Sequence, residues 1–281
     1  MDEMILTVRA RRLMKEIKRL RETAGLKKGR VAKQLGIGES TLWRLETGKS
    51  RISPEVLIPM LELYGVRSPR RDALERLCLD TLRRGWWAPY TDVFSGSYVA
   101  LESDASEIRI CAFAVPGFWQ TEDYARAVIA GSRPELSFDE VDRRMQARLA
   151  RQQALFADRE PPMIHVLLDE SAIRRCSGGP AVMRDQLHRL LEAGEREGTT
   201  IQVLPFAAGY HAGSEGEFVI IDFPDPEDDP FVYEEGLFGD IYLETSDEVA
   251  RYRLAFDHAT DSALETHESA QMITAIAEEM A

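Results

Sequence analysis

Residues 31–48 read Val31-Ala32-Lys33-Gln34-Leu35-Gly36-Ile37-Gly38-Glu39-Ser40-Thr41-Leu42-Trp43-Arg44-Leu45-Glu46-Thr47-Gly48. Val31, Ala32 and Leu35 form one apolar stripe at helical spacing, and Leu42 and Leu45 form a second. Gly36 stands between them, where two short helices crossing steeply need a residue that accepts positive φ, and Ile37 fills the junction. Stripes this short do not bury each other alone. Ile17, Leu20 and Leu26 upstream, with Val56, Leu57, Met60 and Leu61 downstream, supply the remaining apolar surface. Residues 19–64 therefore read as a compact helix-turn-helix. The solvent face of its second helix, opened by Gly38, carries Glu39, Ser40, Trp43 and Arg44, side chains that a recognition helix offers to a DNA major groove.

Charge agrees with that reading. Residues 1–70 hold 16 Lys and Arg against 8 Asp and Glu, a net of +8, and residues 71–281 hold 19 against 40, a net of −21. The overall −13 thus hides a basic N-terminal module on an acidic body, an asymmetry that points to nucleic acid at one end. Arg9, Arg11, Arg12, Lys15, Lys18, Arg19 and Arg21 crowd the helix that opens this module.

Residues 19–66 resemble the Xre or phage-repressor type of helix-turn-helix, marked by L-x-x-L-G-[VI]-S-x-x-x-[IL]-x-x-[IL]-E-x-G and a Pro-started helix. The matching residues are Val31, Leu35-Gly36-Ile37, Leu42, Leu45-Glu46 and Gly48, then Ser53-Pro54-Glu55. The resemblance implies base contacts from Glu39, Ser40 and Arg44, a phosphate contact from Lys28, and backbone contacts from Lys49 and Arg51 in the following loop. Gly38 stands where a Ser or Thr cap is usual, so no side chain satisfies a free amide there. Lys28 replaces a Gln and keeps only donors. Pro59 falls inside the fourth helix, where it is expected to bend or shorten it. Glu46 reads as structural. Two roles fit Trp43: packing on a sugar or thymine methyl, or folding back over Lys and Arg stems.

About 210 residues follow the module, enough for a sizeable core. Residues 67–84 read as a connecting helix through Leu74, Leu77, Leu79 and Leu82, and residues 85–281 as a second domain. No apolar run approaches ~20 residues and no apolar leader opens the chain, so a cytoplasmic protein without a membrane partner is expected. Cys78, Cys111 and Cys176 lack metal-ligand spacing and read as small apolar fillers in a reducing compartment. Strands are expected at 107–115, 163–168, 200–206, 217–223, 231–234 and 239–244, with the turn-rich 208–213 suggesting a hairpin between the third and fourth. Helices are expected at 122–130, 138–156, 181–197 and from 247 to near the end. The chain is therefore α+β: an all-α helix-turn-helix domain, then a larger α+β domain with a mixed or antiparallel sheet. The acidic loop 225–230 fits a solvated turn, or, less directly, a calcium site.

This second region is similar to the C-terminal domain of actinobacterial Xre-type regulators, described as antitoxin-like transcriptional regulators and marked by a P-G-L-L-Q-T segment. The matches run in order: Gly85-Trp86-Trp87-Ala88-Pro89-Tyr90, Leu101-Glu102 with Ala105, and Pro116-Gly117-Phe118-Trp119-Gln120-Thr121 with Tyr124-Ala125-Arg126. Then come Arg148 with Arg151-Gln152, Asp169-Glu170 with Ile173-Arg174-Arg175, Gly178-Gly179 with Val182-Met183 and Gln186-Leu187, and Val203-Leu204-Pro205. Phe118-Trp119 replaces the usual Leu pair. The resemblance implies a domain that reads a signal, often through a small partner protein encoded nearby.

Arg148 and Arg151 lie three apart on one helical face, and with Gln120 they would either line a pocket for a partner or ligand or brace the sheet. Trp86 and Trp87 with Tyr90 suit a docking patch, a dimer interface, or a seal at the domain junction. The five His residues show no H-E-x-x-H or H-x-H spacing, and G-x-S-x-G, P-loop and G-x-G-x-x-G motifs are missing, so neither an enzyme, a metal nor a cofactor is expected. The expected function is a dimeric, sequence-specific regulator binding double-stranded DNA. The rival reading is an antitoxin-like protein that neutralises a small partner and binds DNA for autoregulation.

Overall fold

The computed structural model describes residues 7–82, 85–94, 98–156, 161–236 and 239–280. The chain divides into two compact units, Met1–Asp104 and Ala105–Ala281. Residues 85–104 thus group with the N-terminal unit.

That unit holds α1 (Val8–Thr23), α2 (Lys28–Leu35), α3 (Glu39–Glu46), α4 (Pro54–Leu63), α5 (Arg70–Thr81) and α6 (Tyr98–Glu102). Thr7 opens α1 by accepting from the amide of Ala10 at 3.1 Å. At Gly36 the backbone takes φ 66°, which turns the chain so that the Ile37 amide bonds back to the Ala32 carbonyl at 3.0 Å. This is the turn the sequence requires between the two stripes. Pro54 starts α4 at the first helical position, where its missing amide costs nothing. Pro59 does not shorten α4, which continues to Leu63. The proline is exposed, so the carbonyl it leaves without an amide partner lies toward water.

The core joins Leu13, Ile17, Val31, Leu42, Leu57, Met60 and Leu61, each at most 1% exposed, to Leu74 and Cys78 of α5. Helix α5 therefore completes the head. Its buried line is Leu74, Cys78 and Thr81, while Leu79 and Leu82 are 57% and 38% exposed, unlike the stripe expected from the sequence. At 100° per residue, positions 74, 78 and 81 align and 79 turns away.

The second unit contains β1 (Glu107–Ala112), α7 (Glu122–Ser132), α8 (Phe138–Phe156), β2 (Met163–Asp169), α9 (Glu170–Arg174), α10 (Pro180–Gly194) and β3 (Thr199–Leu204). These are followed by β4 (Phe218–Asp222), β5 (Phe231–Gly236), β6 (Gly239–Leu243), α11 (Ser246–Ser262) and α12 (Thr266–Glu279). The six strands form one mixed sheet in the order β3-β2-β1-β4-β5-β6. Strands β1, β2 and β3 are parallel, as helical crossovers require, and β4, β5 and β6 are antiparallel.

The hairpin expected between the third and fourth strands does not form. Strand β3 pairs with β2, and β4 pairs with β1, placing Phe218 opposite Cys111. The link 205–217 instead crosses the end of the sheet, because the parallel trio leaves the far side of β1 open to β4. Cys111, Leu167, Phe218, Ile220 and Val232 meet Val249, Phe256 and Ala259 of α11 on one face. The alternate residues Ile108, Ile110, Ile164, Val166 and Leu168 are also buried. Burial on both faces is why 163–168 reads as a nearly continuous apolar run.

The single terminal helix expected from residue 247 is two helices, α11 and α12, with Ala263 extended between them. The break serves the edge of β3. The Leu264 amide donates to the Val203 carbonyl at 2.9 Å, and Ser269 Oγ accepts from the Val203 amide at 2.9 Å. Backbone groups that an edge strand would leave open are thereby satisfied. Cys78 and Cys111 are buried, whereas Cys176 is exposed beyond α9 and fills nothing. Burial pushes the Cys78 thiol up to about 11 and the Cys111 thiol up to about 12. Among the described residues no helix is long and apolar enough to cross a membrane.

Because Leu74 lies in the core and Leu79 does not, Leu74→Ala should lower the stability of the N-terminal unit by about 2–5 kcal/mol. Leu79→Ala should change it by no more than about 0.5 kcal/mol. Urea unfolding of the two variants measures the difference.

Candidate nucleic-acid interface

Helix α3 buries Leu42, Leu45 and Glu46 and exposes Glu39, Ser40, Trp43 and Arg44, as the helical period requires. Gly38 caps it with extended backbone and no side-chain bond. Lys49 and Arg51 are exposed in the loop after it. Trp43 takes the folded-back course: it is 42% exposed, and Lys49 Nζ sits 4.6 Å from the ring centroid. Arg44 is tied to the same loop, donating from Nη2 to the Lys49 carbonyl at 3.4 Å. The Glu39 carboxylate lies against α2, where a methyl on Gly29 would come within 2.5 Å of Oε1. A methyl on Gly29 would displace the end of the Glu39 side chain from the first turn of α2, whose amide dipoles favour a carboxylate.

Beneath this face Glu46 is 6% exposed and Arg21 is 6% exposed. Arg21 Nε donates to Glu46 Oε1 at 2.5 Å and Nη2 to Oε2 at 3.1 Å, a two-pronged pair that joins α1 to the end of α3. Arg21 Nη1 also donates to the Leu26 carbonyl at 3.0 Å. The hydrogen bond to Glu46 holds the Arg21 pKa above its ordinary value. Lys28 adds a third strand to this clamp, with Nζ 3.5 Å from Glu46 Oε2. Its side chain is 38% exposed, so its charge is shared between Glu46 and the surface. Arg21, counted from the sequence with the exposed basic run, is buried and neutralised.

In the second unit, the segment after β1 forms a 3-10 turn at Gly117–Trp119 with Phe118 and Trp119 fully buried. Three glutamines satisfy its backbone. Gln120 Nε2 donates to the Val115 carbonyl at 2.7 Å. Gln152 Nε2 donates to the carbonyls of Gly117 and Gln120 at 2.9 and 2.8 Å. Gln186 donates to the Trp119 carbonyl at 2.9 Å and accepts from the Thr121 amide at 2.7 Å. Arg148 donates to Gln120 Oε1, so Gln120 is occupied at both ends and braces the turn.

Residues 95–275 match the model of a family described as a domain of unknown function (DUF5753), and residues 12–78 match one described as a helix-turn-helix domain. The chain belongs to the DUF5753 family. No curated protein and no solved structure matches it. Its helix-turn-helix domain marks this DUF5753 protein as a DNA-binding regulator, and the match includes all of α2, α3 and α4 and α5 as far as Cys78.

The structure gathers Gly38, Glu39, Ser40, Trp43, Arg44, Lys49 and Arg51 on or beside one exposed face, with Lys28 at its margin. Trp86 and Trp87 belong to the first unit, whereas Gln120, Arg148 and Arg151 belong to the second. Trp86 Nε1 donates to Ser103 Oγ at 2.9 Å and meets Trp87 and Phe94 edge to face at 6.0 and 5.5 Å. Trp87 lies over Gly85, where a methyl would fall 2.2 Å from its ring. Sequence reasoning missed Arg21 and Gly29 in the head and the roles of Gln152 and Gln186. The two glutamines were visible only within the R-x-x-R-Q and G-G-x-x-V-M-x-x-Q-L matches.

Removing Glu46 leaves the buried Arg21 guanidinium with only the exposed Glu22 carboxylate, 3.1 Å from Nη2, as its counter-charge. Glu46→Ala should therefore cost about 3–5 kcal/mol of stability in denaturant unfolding. Gly29→Ala should keep the fold while shifting Glu39, seen as a changed Glu39 side-chain carboxyl resonance.

Proposed function

We propose that this DUF5753 protein is a sequence-specific transcriptional regulator that binds double-stranded DNA as a homodimer in the cytoplasm. Its second unit senses a partner protein or ligand, and no catalytic step is involved. The observation that carries this reading is the outer face of α3: Glu39, Ser40 and Arg44 are exposed together on a helix whose inner end is clamped by Arg21. Arg44 suits the O6 and N7 acceptors of guanine, and Glu39 suits the amino donor of cytosine. Lys49, held over Trp43, and Arg51 suit the flanking phosphates. A dimer would place two such helices about 34 Å apart, one turn of duplex. The antitoxin-like alternative rests on the resemblance alone, and no contact among the described residues favours it.

Selection from a random duplex library tests the reading. The full chain should enrich a motif with two half-sites. Arg44→Ala should relax one base position and weaken the preferred site by about 1–3 kcal/mol. Lys49→Ala should weaken all sequences alike and reduce the slope of log affinity against log salt by about one. Failure of the folded wild type to enrich any sequence would overturn sequence-specific binding.

A further inference from the structure

The loop that follows α3 is fastened to the last turn of that helix. Gly48 takes φ 74°, a left-handed turn that folds the chain back on itself. The Lys49 amide then donates to the Arg44 carbonyl at 2.8 Å, and the Ser50 amide donates to the same carbonyl at 3.1 Å. Thr47 donates twice to the Trp43 carbonyl, from its amide at 3.0 Å and from its hydroxyl at 2.8 Å. The Arg44 side chain closes the circuit through its bond to the Lys49 carbonyl. Helix end and loop therefore move together.

This backbone course lays the Lys49 side chain across Trp43, with Nζ 4.6 Å from the ring centroid. A lysine on an exposed loop has a flexible four-carbon stem, and its ammonium would otherwise sample a wide arc. An indole face is the strongest aromatic partner for an ammonium. It is also a neutral one, so the charge it holds stays available to a phosphate. Lys28 shows the contrast: its ammonium sits 3.5 Å from the Glu46 carboxylate and shares its charge with that group. Trp43 thus holds Lys49 without spending it.

We propose that Trp43 is a positioning residue for DNA binding: its ring places the Lys49 ammonium for a backbone phosphate, and Trp43 itself reads no base. Arg44, aimed at base edges, and Lys49, aimed at the backbone, keep their separation before DNA arrives, so less side-chain freedom is lost on binding. This deepens the DNA-binding reading given above and rests on it.

A double-mutant cycle on duplex binding by the full chain tests it, with the selected motif and an unrelated duplex as probes. Trp43→Leu should weaken both probes alike, by about two- to fivefold, the size of an exposed cation–π contact. In a Lys49→Ala background the same substitution should change neither probe. Trp43→Phe keeps a ring face and should recover most of the loss. A similar loss in the Lys49→Ala background, or a loss confined to the selected motif, would mean that Trp43 touches DNA directly and would overturn the proposal. NMR of the free chain supplies a measurement independent of DNA. The Lys49 ε-methylene protons should lie upfield of those of other lysines through the Trp43 ring current, and should return to the ordinary position in Trp43→Leu. An unshifted Lys49 would overturn the positioning contact while leaving DNA binding in place. A folded wild type that binds neither probe, with the Lys49 shift intact, would overturn the DNA-binding reading and the proposal with it.

Discussion

The direction in which α3 faces depends on one buried ion pair. Arg21 and Glu46 exchange two hydrogen bonds at the inner end of that helix, and only one placement of α1 against α3 allows both. Taking two charges out of water is expensive, and well-packed apolar residues often stabilise as much. What the pair adds is geometry. Leu42 and Leu45 would tolerate small rotations of α3 in a greasy contact, whereas a guanidinium fork on a carboxylate does not. Lys28 extends the same constraint to the start of α2. Glu39, Ser40 and Arg44 therefore leave the surface in a fixed relation to the two helices that precede them.

The same accounting of ion pairs narrows the electrostatic footprint of the head. Its net positive charge is spread along the sequence, but the folded unit commits much of it internally. Arg21 is buried, Arg19 and Arg70 both meet Glu16, and Arg71 meets Glu62 and Glu75. Arg44, Lys49 and Arg51 stay exposed at one end of α3 and its following loop. Arg9, Lys18, Lys27, Arg30 and Lys33 are exposed as well, so the charge left to attract a phosphate backbone extends over α1 and α2.

In the second unit the constraint is backbone satisfaction. A turn that buries Phe118 and Trp119 also buries peptide groups, and Gln120, Gln152 and Gln186 reach in from the turn itself, α8 and α10 to bond them. An amide side chain suits this task because it donates and accepts without carrying charge into the core. At the other edge of the sheet, Leu264 and Ser269 do the same for β3.

Much of this was legible from local pattern alone. Stripes at Val31, Ala32 and Leu35 and at Leu42 and Leu45 specify two short helices, and Gly36 between them specifies their turn, because side-chain period and backbone conformation are set by nearest neighbours. The positions of all six strands and the exposed face of α3 follow from the same rules. Tertiary structure alone decided which strands touch, which leucines of α5 are buried, where the terminal helix breaks, and which arginines lose their solvent. The expected β3–β4 hairpin failed because strand choice is made by the whole sheet, and β1 offered β4 a free edge that β3 did not. Arg21 looks like its basic neighbours in sequence, yet its partner is 25 residues away. Pairing energy and desolvation depend on groups that the fold brings together, and no local periodicity encodes that distance.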